Sequence, residues 1–108
     1  MNVGDRIRER REALGISQAE LAEKVGYTSR SSITKIEREG HGVPRSKMEI
    51  IAKVLKTTPS YLMGWEDEEV ANLTARQEET MSKFFCLTKD NQILIDKFID
   101  SLLEQQKG

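Results

Sequence analysis

Between Tyr27 and Gly40 the chain mixes two kinds of residue. Ile33 and Ile36 stand three apart, the spacing of the inner side of a short helix. Around them lie Ser29, Arg30, Ser31, Ser32, Thr34, Lys35 and Arg38, all hydrogen-bond donors or cations, with no acid before Glu37. A guanidinium can grip a guanine edge through two parallel hydrogen bonds; short hydroxyls reach base edges, and threonine adds a methyl. Lysine and arginine also hold phosphates, which position a protein without reading sequence. The pattern predicts a helix around residues 29–38, capped by Ser29, whose outer side lies against base edges in a DNA major groove. Arg30, Ser31, Thr34 and Lys35 are expected beside bases, Ser32 at a shorter contact, and Arg38 as a phosphate clamp. Glu37 is expected to be an internal or ion-paired residue rather than a cytosine reader.

Such a helix needs another to hold it. Ser17 is a good N-cap, and Glu20 three residues on completes a capping box. Leu21, Ala22 and Val25 then give one apolar stripe, and Gly26 suits the left-handed C-cap that ends the helix. Ala22 is small where two helices must approach closely. The whole stretch, Ile16 to Glu39, is a helix-turn-helix layout, in which the second helix enters the groove and the first crosses the backbone. The segments SQAELAEKVG, SSITKIE and PSYLMG resemble the Cro/repressor-type (XRE) helix-turn-helix family of phage and bacterial regulators, over roughly residues 4 to 64. That resemblance implies a DNA-binding fold of five helices, with Gln18 either bracing the recognition helix or contacting a phosphate. The turn between Gly26 and Ile33 is one residue longer than the family's commonest pattern, which leaves the register of Thr28 to Ser31 open.

The flanking segments supply the rest of an all-α domain. Val3, Ile7 and Leu14 set the apolar side of a first helix that closes at Gly15, its arginines solvated or paired with Glu9 and Glu12. His41 lies in a loop between two glycines. Pro44 primes a fourth helix with Met48, Ile50, Ile51, Val54 and Leu55 on its buried side, and Arg45 and Lys47 in its first turn could reach phosphate oxygens. Thr57 or Thr58 caps a fifth helix that has Pro59 at its first position. Tyr61, Leu62 and Met63 complete the core, and Gly64 ends the domain at residues 1–64. Residues 65–74, opening on Trp65-Glu66-Asp67-Glu68-Glu69, read as an acidic linker. Residues 75–108 read as a helical dimerisation segment. A short helix is plausible up to Leu87, with Cys86 as a small apolar residue, and an additional amphipathic helix follows Thr88. Its stripe of Ile95, Phe98, Ile99, Leu102 and Leu103 repeats at i, i+3, i+4, i+7 and i+8. A helix of this length is marginal alone, so the stripe must be covered. A second copy of the chain is the preferred partner, because a two-fold operator needs two recognition helices.

Composition narrows the alternatives. The formal charge of −1 hides an asymmetry: residues 1–64 hold 12 Lys/Arg against 8 Asp/Glu, and residues 65–108 hold 5 against 10. The positive half is the one expected to meet phosphates. A single His and a single Cys cannot furnish a structural zinc site, and no cofactor is implied. No apolar run is long enough to span a membrane. The lone Cys86 and an N-terminus without a leader pattern point to the cytoplasm. No catalytic constellation surrounds His41 or Cys86, so an enzyme is not expected. The leading expectation is a dimeric repressor of phage-like or mobile-element type on an inverted-repeat operator. An antitoxin or adaptor, an interaction module on the same fold, is the alternative. An antirepressor or other protein partner is left open.

Overall fold

A computed structural model describes residues 1–107. Among the described residues there are seven helices and no strand. They are α1 (Val3–Ala13), α2 (Gln18–Val25), α3 (Ser31–Glu39), α4 (Arg45–Val54), α5 (Pro59–Leu62), α6 (Glu68–Phe85) and α7 (Lys89–Lys107). The chain divides into two compact units, the first comprising Met1–Arg76 and the second starting at Gln77.

In the first unit, α1 packs on α3 and α5, α2 packs on α3 and α4, and α4 packs on α5. Ile7, Leu21, Ile33, Ile51, Leu55 and Leu62 are fully buried where these helices meet. Each such side chain contributes roughly 1.5–3 kcal/mol of apolar transfer. Helix ends follow local chemistry. Ser17 and Glu20 form the expected capping box: the Glu20 N–H donates to Ser17 Oγ (3.0 Å) and the Ser17 N–H to Glu20 Oε1 (3.3 Å). Asn2 and Asp5 form a second box at the start of α1, unforeseen because the stretch before Val3 is so short. Thr58 Oγ1 accepts from the Tyr61 N–H at 3.1 Å. Gly26, at φ 93°, takes the left-handed cap of α2.

Several expectations need correction. Ile50 and Met63 are exposed rather than part of the core, because the buried side of α4 runs through Ile51 and Ala52 and that of α5 through Tyr61 and Leu62. The stretch read as a linker is helical from Glu68. Asp67 Oδ1 accepts from the Val70 N–H at 3.0 Å, acids in the first turn suit a helix N-terminus, and Ala71 is fully buried in the core. α6 then runs on to Phe85, taking in the short helix expected before Leu87, and the expected amphipathic helix follows as α7.

Gly4 sets the approach of α1 to α3. A Cβ there would collide with the Ile36 carbonyl oxygen and come within 2.9 Å of the Glu37 carbonyl oxygen and the Gly40 Cα. Alanine is the better helix former by about 1 kcal/mol, but overpacking of this kind costs about 1–3 kcal/mol. Gly4→Ala is therefore expected to lower the melting temperature, measured by circular dichroism. A rise would mean that α1 can slide outward at little cost.

The second unit is the latter part of α6 and α7, whose caps include Thr88 Oγ1 accepting from the Asn91 N–H at 3.2 Å. No residue of α7 is buried. Met81, Phe85, Ile95, Phe98, Ile99, Leu102 and Leu103 are all exposed. Phe84 packs edge-to-face on Phe85, and Cys86 is exposed rather than packed. Side chains including Met81, Phe84, Leu87, Ile95 and Ile99 line an open apolar groove of about 500 Å³.

Candidate nucleic-acid interface

The interface is built on α3 and what fixes it. The Tyr27 N–H donates to the Ala22 carbonyl at 2.9 Å, ending α2. α3 begins at Ser31, one residue later than a cap at Ser29 implies. Ser29 Oγ does accept from the Ser31 N–H (3.0 Å) and lies 2.6 Å from Ser31 Oγ, so it orders the turn instead of capping the helix. The nominal cap residue, Arg30, makes no side-chain cap bond. Ile33 and Ile36 face the core. On the opposite side Ser29, Arg30, Ser31, Lys35 and Arg38 are exposed, and Ser32 and Thr34 are half-buried. Arg38 lies 3.8 Å from Glu39 in an exposed pair, worth little in water. Arg45 is exposed at the start of α4.

A polar network pins this helix from behind. Arg11 donates from Nε to Glu37 Oε2 (2.8 Å), from Nη2 to Glu37 Oε1 (3.1 Å) and from Nη1 to the Ile16 carbonyl (2.9 Å). Gln18 Nε2 donates to Glu37 Oε1 at 3.3 Å, and Thr34 Oγ1 donates to Gln18 Oε1 at 2.8 Å. The hydrogen bond to Glu37 holds the Arg11 guanidinium above its usual pKa, more strongly than its partial burial lowers it. Glu37 is the internal ion-paired residue that its position suggested. Arg11 was expected in solvent or paired with Glu12. It meets Glu12 only at 3.8 Å, because α1 crosses α3 and brings it to Glu37. No local spacing could have paired them. Gln18 has the bracing geometry.

Lys47 was a candidate for phosphate oxygens, but its ammonium is engaged within the protein. It donates to the Val25 carbonyl at the end of α2 (3.1 Å) and stands 5.3 Å from the Tyr27 ring centroid. Burial pushes the Tyr27 phenol above its usual pKa. Lys35, Ser32, Tyr27 and the exposed His41 share a cleft of about 310 Å³ beside α3. Among the described residues no group of three or more His, Cys, Asp or Glu could hold a metal ion. No helix among them is long and apolar enough to cross a membrane.

The pattern of the helix-turn-helix family matches residues 7–62. The chain belongs to this family. Helix-turn-helix proteins of the XRE type are DNA-binding transcriptional regulators. One similar protein is an uncharacterised HTH-type transcriptional regulator of Sinorhizobium fredii, 35% identical over 81 residues, 75% of this chain. Another is the immunity repressor protein of Bacillus phage phi105, 34% identical over 86 residues, 77% of this chain. The chain spans 53% and 59% of the length of those two relatives. Among solved structures, the P22 c2 repressor in complex with a synthetic operator aligns with TM-score 0.57 and 33% identity, covering 61% of this chain and 98% of that one. The SinR/SinI protein complex aligns with TM-score 0.51 and 25% identity, covering 98% of this chain and 99% of that one.

Proposed function

We propose that this helix-turn-helix protein is a repressor that occupies an inverted-repeat operator as a homodimer, with α3 in the major groove. The observation that carries the reading is the outer side of α3. Arg30, Ser31, Lys35 and Arg38 are exposed there while the inner side is anchored by Ile33, Ile36 and the Glu37 network. Arg30 and Lys35 reach base edges, Ser29, Ser31, Ser32 and Thr34 lie close to them, Arg38 and Arg45 meet the phosphate backbone, and Gln18 braces α3 from α2. The likeness to a phage immunity repressor and to an operator-bound repressor supports repression over activation. A duplex target places its action in the cytoplasm.

Dimerisation is supported by α7, whose apolar side chains are exposed along the helix. A contiguous face of this kind marks an interaction surface. A second copy doubles the contacts by raising effective concentration, with half-site centres about one helical turn, roughly 34–36 Å, apart. A second reading, in which this face takes a different protein as an antirepressor or adaptor would, is favoured by one observation. The SinR/SinI structure, a complex of two proteins, covers nearly the whole chain.

Selection of bound duplexes from a random pool tests the main reading. The purified chain is expected to enrich an inverted repeat, and Arg30→Ala and Lys35→Ala each to relax one base position, costing about 1–3 kcal/mol there. Binding that is salt-sensitive but indifferent to sequence would count against it.

A further inference from the structure

Thr34 has one hydroxyl proton, and two acceptors for it lie inside the protein: Gln18 Oε1 at 2.8 Å and the Arg30 carbonyl at 3.2 Å. The direction of the bond to Gln18 is set by chemistry further in. Glu37, held by two hydrogen bonds from Arg11, is a carboxylate and can only accept. The Gln18 amide therefore turns its NH2 group to Glu37, at 3.3 Å, and its carbonyl oxygen to α3. That oxygen also only accepts, so the Thr34 hydroxyl must donate to it. No second proton remains for a base acceptor in the groove. Yet Thr34 is only half-buried, on the helix whose neighbours Arg30, Ser31 and Lys35 are exposed.

We propose that Thr34 reads DNA through its methyl group, its hydroxyl proton being retained by Gln18 in an orientation that Glu37 sets. The inference rests on the reading of α3 as the groove helix. Its consequence is chemical: guanine presents two acceptors, N7 and O6, to which Thr34 has nothing to donate, whereas thymine presents its C5 methyl. The methyl selects thymine, and Thr34→Val, which also removes the lone pair that the hydroxyl still offers to adenine N6–H2 or cytosine N4–H2, separates this from an acceptor role. Gln18 and Glu37 then act as positioning residues for specificity, working through Thr34 without reading a base themselves.

Two substitutions separate the methyl from the hydroxyl. Thr34→Val keeps the branched shape and the methyl; Thr34→Ser keeps only the hydroxyl. Selection from a random duplex pool is run with the intact chain and both variants, with thermal melts to show that each is folded. Thr34→Val is expected to keep thymine at one position of each half-site. Thr34→Ser is expected to lose that preference by roughly fourfold, the value of one buried methyl, with other positions unchanged. A uniform fall in affinity for Thr34→Val with the preference intact also supports the proposal, since the brace between α2 and α3 is lost and the reading group kept. A preference retained by Thr34→Ser and lost by Thr34→Val makes the hydroxyl the reader and overturns it, as does a pool that neither variant changes. Should Thr34→Val not fold, Thr34→Ser decides alone, retained preference overturning the proposal and loss supporting it. An intact chain that selects no sequence overturns both this inference and the groove reading beneath it, and is recognisable because the variants then have nothing to alter.

Discussion

Glu37→Ala is expected to remove about 3–5 kcal/mol of stability, the usual result of taking one partner from a buried ion pair. Marginal domains hold only about 5–15 kcal/mol in total, so this change brings the first unit close to unfolding. The Glu37 side chain is 4% exposed and that of Arg11 12%. With alanine in place, the guanidinium keeps its bond to the Ile16 carbonyl and a long, solvent-exposed pairing with Glu12 at 3.8 Å, and a nearly buried cation loses its buried counter-charge. The Gln18 NH2 group loses its acceptor as well. Urea unfolding measures the effect as a lower midpoint at unchanged slope. A loss below about 1 kcal/mol would show that Arg11 swings out to water and that the pair is peripheral. Arg38→Ala is the contrast: its pairing with Glu39 is exposed, so stability is expected to stay within about 0.5 kcal/mol. The double change Arg11→Met with Glu37→Leu separates stability from specificity. Apolar replacement of a whole buried pair is often neutral, so stability is expected to recover, while the orientation of the Gln18 amide, and with it the discrimination against guanine that a withheld Thr34 hydroxyl proton gives, does not.

What could be read from the chain is what is encoded within a few residues. Ser17 and Glu20 are three apart, Gly26 follows the last apolar position of α2, and Ile33 and Ile36 lie on one side of α3. Each of these signals acts over a single helical turn, and the structure places them as read. The interhelical chemistry was not legible. Arg11 and Glu37 are 26 residues apart, and only the crossing of α1 over α3 turns two ordinary surface charges into an anchor. The same holds for Lys47, whose ammonium finds the end of α2 only once α4 has packed there. The start of α3 was misplaced for another reason. Ser29 forms a local serine turn, and a serine one position ahead of the true cap position looks from sequence like a cap. The start of α6 was hidden by composition: a run of acids resembles a solvated linker, and the signs of a helix were Asp67 as a cap and the lone small Ala71 facing the core. Along α3, residue types suggested a binding surface. They could not say that the Thr34 proton is spent within the protein, since that depends on a chain of donors and acceptors spread over three helices.

Placing a carboxylate on the apolar side of α7, as Phe98→Asp together with Leu102→Asp, is expected to convert a dimer into a monomer. Affinity for a full inverted repeat should fall by about 10²–10⁴-fold, the range by which linkage of two binding modules exceeds either alone. Phe98 and Leu102 are i and i+4 neighbours on a helix with no buried residue, flanked by Ile95, Ile99 and Leu103. A second copy laid on this side would remove roughly 1.5–3 kcal/mol of apolar exposure for each large side chain covered. A carboxylate buried there without a partner costs enough to abolish the association. Sedimentation reads the loss of dimer directly, and a single half-site duplex gives the internal control. Binding to the half-site should stay within about twofold of the intact chain, because nothing in Met1–Arg76 has been altered and one module makes all its own base contacts. Free α7 would also lose helicity in the monomer, since an isolated helix of this length is marginal in water. The far-ultraviolet signal should therefore fall without a change in the melting of the first unit. Persistence of the dimer with both carboxylates in place would move the contact to another surface. An intact chain that is monomeric, and that binds the full repeat no better than the half-site, would leave the face of α7 to a different protein.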